Sequence, residues 1–369
     1  MAPKVIRLTN VQVTSGASPE VGLSRQKLER DLHRRKTTVV QPIDDHSGLF
    51  ARLIGDGRSL LALVALCLIL SGGFAIFQSA TGKFLPQDEE FLRMTVKDLC
   101  GIADARIVHF MFHDRVSFGG SIIAIGVLYL WLLEFPMRSA ECWSWWVFLI
   151  SGITGFGSFL AYLGYGYLDT WHGIATLFLL VPYVCGMFLT GRRLEIRRGM
   201  SELISPGQAF SLDPGSVGRG LLVATGFGML LGGLVIMIVG MTCVFVPQDT
   251  AFMRLEAAQL NAINPRLIPL IAHDRAGFGG GVGTAGLILF LSVWRGRPSK
   301  SLWQAVAVSV GTGFTCAIGI HPIIGYTDFF HLLPAYAGLV LFLMGITLSF
   351  RQMYYPKIGA PGRTLTCTH

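Results

Sequence analysis

His113-Asp114-Arg115-Val116-Ser117-Phe118-Gly119-Gly120 returns 160 residues later as His273-Asp274-Arg275-Ala276-Gly277-Phe278-Gly279-Gly280. On its N-terminal side, Phe84-Leu85-Pro86-Gln87-Asp88, followed by Phe91 and Arg93, returns at an offset of 161 as Phe245-Val246-Pro247-Gln248-Asp249 with Phe252 and Arg254. On its C-terminal side, Gly166-Tyr167-x-Asp169-x-x-His172 returns at an offset of 159 as Gly325-Tyr326-x-Asp328-x-x-His331. Three motifs in one order at a nearly constant offset mark an internal duplication of about 160 residues.

The solvent of the duplicated unit is lipid. Of 369 residues, 52% are hydrophobic and 14% charged, and mean hydropathy is +0.56, outside the range of an ordinary soluble domain. Apolar runs long enough to cross a hydrocarbon core cover 59–82, 114–136, 143–166, 170–190, 220–246, 275–294, 302–325 and 329–350. Continuous stretches such as Leu60 to Leu70 do not alternate, which excludes barrel strands. The expected fold is therefore an all-α integral membrane protein of eight transmembrane helices, arranged as two tandem parallel four-helix repeats. Residues 1–58 form a basic N-terminal segment, too long and polar for a cleavable signal peptide. The repeats occupy 59–190 and 220–350, a linker 191–219 and a tail 351–369. Forty-five glycines fit close helix packing in a bilayer.

Charge placement gives an orientation. With the N-terminal segment in the cytoplasm, 22 of the 30 Lys and Arg residues fall on that side, as the positive-inside rule requires. Both termini are thus expected in the cytoplasm of a multi-pass plasma (inner) membrane protein. The net charge of +8 then records topology and anionic-lipid contact, not a nucleic-acid partner. Trp143, Trp145, Trp146, Trp294 and Trp303 fall at expected inner boundaries. The cysteines form no CxxC pair. Cys100 and Cys243 alone fall on the outer side, at positions that the repeat does not align.

All three motifs map to the outer face, where ionisable groups at membrane depth are functional candidates. Asp169 and His172, like Asp328 and His331, stand three residues apart on one helical face, so the carboxylate can orient the imidazole. His113 and Asp114, like His273 and Asp274, point about 100° apart. If the second and fourth spans of a repeat face each other, His113 meets His172 and His273 meets His331, as in a four-helix bundle that ligates haem iron from both sides. The bland alternatives are concrete: aspartates at helix starts are often N-caps, Arg115 and Arg275 can snorkel, and Gly-Gly pairs are more often packing devices than cofactor slots. His109 has Pro269 as its counterpart and His321 has Tyr162, so both read as local features, with contact to a ligand held by the second half alone as the alternative for His321.

Two parallel four-helix repeats with His113, His172, His273 and His331 at the outer ends of the even spans resemble the architecture of haem A synthase. Asp114 and Asp274 follow the histidines where that family has arginine. The resemblance implies haem or quinone binding at those histidines.

The functional expectation is a membrane redox protein holding haem b or a quinone near the outer face. His113, His172, His273 and His331 would serve as iron ligands or hydrogen-bond partners, and Asp169 and Asp328 would orient them. Arg115 and Arg275 would pair with propionates or with Asp114 and Asp274. Two other classes stand beside it: a small-solute or ion transporter, and a non-catalytic subunit docked to other membrane subunits.

Overall fold

A computed structural model describes residues 54–160, 167, 170–194 and 196–355. Asp169 lies outside these residues, and for His172 only the backbone is described. No strand occurs among the described residues.

The chain runs through α1 (Arg58–Ala80), α2 (Pro86–Leu92), α3 (Val96–Cys100), α4 (Arg106–Leu132), α5 (Trp143–Phe159), α6 (Thr170–Gly191) and α7 (Ile196–Glu202). It continues through α8 (Pro214–Met241), α9 (Pro247–Met253), α10 (Ala257–Ile263), α11 (Leu267–Arg295), α12 (Lys300–Ile324) and α13 (Phe329–Tyr354). Seven of these, α1, α4, α6, α8, α11, α12 and α13, are long and apolar enough to cross a membrane. Of the run expected at 143–166, Trp143–Phe159 forms α5, and 161–166 lie outside the described residues.

Two helices form the centre. In the apolar windows of α4 and α11, 78% and 83% of residues are buried, against 17–22% in the other five long helices. The peripheral helices point Leu70, Phe77, Phe178, Val235 and Leu343 outward, as lipid-facing surfaces do. α4 packs on α1, α11 and α12, while α11 packs on α8, α4 and α5. Each central helix thus borrows a neighbour from the other half of the sequence.

Both central helices begin eight residues before the expected 114 and 275. Apolar-window scanning stops at the His-Asp-Arg charges, but the helix continues through them because Ile107, Val108, Phe110 and Met111 on α4, and Leu270, Ile271 and Ala272 on α11, are all buried. The motifs therefore lie two turns inside the helices instead of at their starts. Over them sits a lid of the short helices α2, α3, α9 and α10. Asn264 Nδ2 donates to the Leu92 carbonyl (2.7 Å), and Arg266 Nη1 to the Phe91 carbonyl (2.6 Å). Arg106 Nη1 donates to Phe252 (2.8 Å), so each half's lid is pinned by the other half.

Glycine sets how closely the helices approach. On α8, Gly226, Gly233 and Gly240 recur every seven residues and face α11; a Cβ on Gly233 would run into the backbone of Gly279 and Gly283. Gly119 and Gly279, from the Gly-Gly pairs, lie against the Gly72 and Gly233 carbonyls, so they are used for helix contact. Trp143 is buried, 1% exposed, with its indole N–H donating to Glu141 (2.6 Å), and so does not belong to an interfacial belt. Trp145 and Trp303 donate to the carbonyls of Met187 and Ile346, both at 2.9 Å, tying neighbouring helices together.

Adding one methyl group tests this packing. Gly233→Ala is expected to lower stability by about 1–3 kcal/mol through overpacking. Gly232→Ala, which has nothing within 4 Å, stays within about 0.5 kcal/mol. Thermal unfolding in detergent compares them; equal midpoints would remove the close-approach argument.

Candidate functional site

The two His-Asp-Arg motifs meet face to face across α4 and α11, and their charges pair crosswise. Arg115 Nε donates to Asp274 Oδ2 at 2.8 Å, and Arg115 Nη1 lies 2.8 Å from Asp88 Oδ2. In the reciprocal arrangement, Arg275 Nε stands 3.5 Å from Asp114 Oδ2, and Arg275 Nη1 binds Asp249. Each guanidinium therefore bridges the partner helix's carboxylate and the Pro-Gln-Asp carboxylate of its own half. Asp114 and Asp249 are 0% exposed, Asp88 1% and Arg275 4%. At such burial the guanidinium, with its fixed fork of donors, suits two carboxylates better than an ammonium would. Phe84 lies under Arg115 (4.9 Å) and Phe110 under Arg275 (4.8 Å), covering the flat faces of both cations.

Local sequence explains how the lid carboxylates reach these positions. Pro86 and Pro247 open α2 and α9 at the first helical position, where their missing N–H is no loss. Asp88 and Asp249 then accept from the backbone N–H of Leu85 (3.3 Å) and Val246 (2.8 Å), which holds their side chains at the helix start. Arg93 and Arg254 end these helices in the left-handed region, φ 53° and 57°, and turn the chain back. Two tyrosines complete the lid contacts: Tyr167 donates to Asp88, and Tyr326 donates to Asp249 Oδ1 at 2.7 Å. Tyr326 is delivered by Gly325, whose φ of 76° ends α12.

Around the Asp114–Arg275–Asp249 arm, three imidazoles converge. His113 Nδ1 is 2.9 Å from Asp114 Oδ1, which leaves its Nε2 to face the pocket. His331 Nδ1 is 3.0 Å from the Tyr326 hydroxyl. The third is His321, 3% exposed, with neither ring nitrogen hydrogen-bonded. Ring centroids lie 4.5 Å apart for His113 and His321, 5.4 Å for His321 and His331, and 5.7 Å for His113 and His331. One nitrogen from each falls within 4.8 Å of the other two. Beside Tyr326, a depression of about 480 Å³ is lined by Arg106, Gln248, Phe252, Tyr326 and Asp328.

Two titratable groups of this arm lie between the spanning helices. Burial alone would push the Asp249 carboxyl up, but the Arg275 guanidinium, with the Val246 N–H and the Tyr326 hydroxyl, outweighs it and holds the carboxyl below the ordinary range. Burial, reinforced by the Asp249 charge, pushes the Tyr326 hydroxyl well above its ordinary value and keeps it a proton donor.

The expected site residues are partly brought together. His113, Asp114 and Arg275 share one buried arm, which His331 joins through Tyr326 and Asp249, and Arg115 and Asp274 share the other. His113 meets His331 of the other half, while the side chain of His172 lies outside what is described. His273 also lies across the halves, its Nδ1 3.2 Å from Asp274 Oδ1 and its ring 5.0 Å from Tyr167. Asp328 accepts from the backbone N–H of His331 (2.7 Å), so it caps α13 instead of orienting the imidazole. Asp88, Asp249, Tyr167, Tyr326 and His321 were not among the expected site residues. The first four belong to repeated motifs, so their recurrence was the available signal. His321 breaks the repeat and offered none. Cys100 and Cys243 are both exposed free thiols.

Compared with models of protein families, with curated proteins and with solved structures, the chain matches none.

Two measurements probe the network. Removing one partner of a buried pair leaves an uncompensated charge, so Arg275→Met is expected to cost about 3–5 kcal/mol, with Asp114→Asn in the same chain recovering part of it. Additive effects in that double-mutant cycle would deny the pairing. The depressed Asp249 carboxyl contributes stability that is present above the ordinary aspartate range and lost as pH falls through its lower folded value. Melting midpoints should therefore drop below about pH 4, and Asp249→Asn should flatten that acid limb; an unchanged limb would separate Asp249 from acid stability.

Proposed function

We propose that this chain is an eight-span membrane protein of two tandem, parallel four-span units that binds a redox or catalytic cofactor in the imidazole pocket between them. On this reading α5 is the eighth span, both termini lie in the cytoplasm of the plasma (inner) membrane, and the lid faces outward. The duplicated motifs support it, as does the exchange of neighbours, since α12 stands to α4 as α5 stands to α11 under the sequence offset. The excess of Lys and Arg on the opposite side supports the orientation.

One observation carries the cofactor reading: His321 is buried among His113 and His331 with both ring nitrogens unpartnered. A buried polar group without a partner costs stability, and a bound ligand removes that cost. Haem b does not fit between these residues. A porphyrin ligated by His113 and His331 would lie between their rings, in the space that the His321 ring occupies. A quinone would use the imidazoles as donors to its carbonyl oxygens. On this reading the lid end faces the outer aqueous phase, and the Arg–Asp pairs hold the two halves of the pocket in register.

Purified protein tests the cofactor. Metal analysis and organic extraction should recover a ligand that His331→Ala removes while the protein stays monodisperse; retention of the ligand in that variant would refute the site. Topology is checked by thiol labelling. A membrane-impermeant maleimide should modify Cys100, the sole cysteine of an otherwise cysteine-free variant, in intact cells. Labelling only after permeabilisation would reverse the orientation.

A further inference from the structure

We infer that His113, His321 and His331 bind one divalent first-row transition-metal ion, of the zinc or copper class, as a three-nitrogen site with an open coordination position. The inference rests on the cofactor reading above and names its chemistry.

Donor type and number come first. Three neutral imidazoles suit zinc, copper, iron and nickel and are poor ligands for magnesium or calcium. Their nitrogens lie within 4.8 Å of one another. Bonds of about 2.0–2.1 Å in tetrahedral geometry place donors about 3.4 Å apart, so the rings close inward by about an ångström on binding. Three protein ligands leave a fourth position for water or substrate, the pattern of catalytic sites, not structural ones.

The supporting shell is already built. Metal-bound histidines commonly engage their other nitrogen with a carboxylate or another polar group, which fixes the ring and the tautomer. His113 does so through Asp114 at 2.9 Å, and His331 through Tyr326 at 3.0 Å, itself bonded to Asp249 at 2.7 Å. His321 precedes Pro322, whose missing N–H leaves the Ile318 carbonyl without its helical donor. That carbonyl and the neighbouring one of Ala317 lie close to the ring from the preceding turn.

Charge points the same way. In this arm two carboxylates, Asp114 and Asp249, stand against one guanidinium, Arg275. With neutral imidazoles the arm carries one net negative charge at membrane depth, which favours a cation and disfavours an anion. The site should also be single. The repeat counterpart of His321 is Tyr162, so the first half lacks the third imidazole.

The test loads the full-length protein, purified without chelator, with Zn²⁺ or Cu²⁺ and measures bound metal by elemental analysis and the Cu²⁺ spectrum by electron paramagnetic resonance. About one ion per chain is expected, with nitrogen hyperfine structure from the imidazoles. His113→Ala, His321→Ala and His331→Ala should each weaken binding by more than tenfold. Asp114→Asn, a change to the supporting shell, should weaken it about 10–100-fold. His273→Ala, on the opposite arm, keeps the ion in place and controls for general damage, and a raised melting midpoint with metal reports binding independently of spectroscopy. Binding that survives His321→Ala, or two equivalent ions per chain, overturns the inference. If no metal binds but an organic ligand extracts from the wild type and not from His331→Ala, the metal assignment falls while the cofactor reading stands. If neither binds, both fall.

Discussion

The architecture depends on two crossed ion pairs, Arg115 with Asp274 and Arg275 with Asp114, set at the contact of the two central helices. A charge in an apolar interior is costly unless an opposite charge faces it; Arg115 hydrogen-bonds Asp274, while Arg275 Nε stands 3.5 Å from Asp114 Oδ2 without a hydrogen bond. Because each arginine finds a carboxylate on the other helix, α4 and α11 can satisfy their charges at only one register and one facing. A shift of one residue would turn every one of these groups by about 100°. The remaining packing follows from that register. Gly119 and Gly279 let α1 and α8 close against the central pair, and the lid returns to the bundle to deliver Asp88 and Asp249 as second carboxylates.

Duplication supplies the frame and divergence supplies the chemistry. Asp88, Arg115 and Asp274 on one arm mirror Asp249, Arg275 and Asp114 on the other, each with a tyrosine on its lid carboxylate. Beyond that point the arms differ. His113 faces two further imidazoles, whereas His273 lies against Tyr167 and Phe159. A symmetric scaffold that carries an asymmetric pocket can change one arm while the other keeps the halves joined.

Much of this was legible in the residues, because a helix in lipid announces itself by length and apolarity and a duplication by recurrence. The His-Asp-Arg and Pro-Gln-Asp motifs pointed to the lid end, and the Arg–Asp pairing was among the expected contacts. Pairing across the halves was not legible. Periodicity says which face a residue occupies, but not which other helix meets that face. Helix starts were misplaced for a related reason: charges at 113–115 and 273–275 depress an apolar window although the chain there is buried and helical. His321 was read as local because it lacks a repeat partner, and recurrence, the signal that found the other residues, is blind to a residue acquired by one half alone.

The network as a purely structural clamp explains the aspartates and arginines but not the imidazoles. Two guanidinium–carboxylate bridges join the halves without any histidine, and a phenylalanine at 321 would fill the same space without burying polar atoms. Burying an imidazole with both nitrogens unpartnered lowers stability, and it does so beside His113 and His331, whose other nitrogens are already engaged by Asp114 and Tyr326. A fold under selection for stability alone would lose such a residue readily, since an apolar replacement of similar volume is neutral or stabilising at sites like this. On the proposed reading an ion held between the three rings offsets that cost, and this is what would separate a binding site from a clamp.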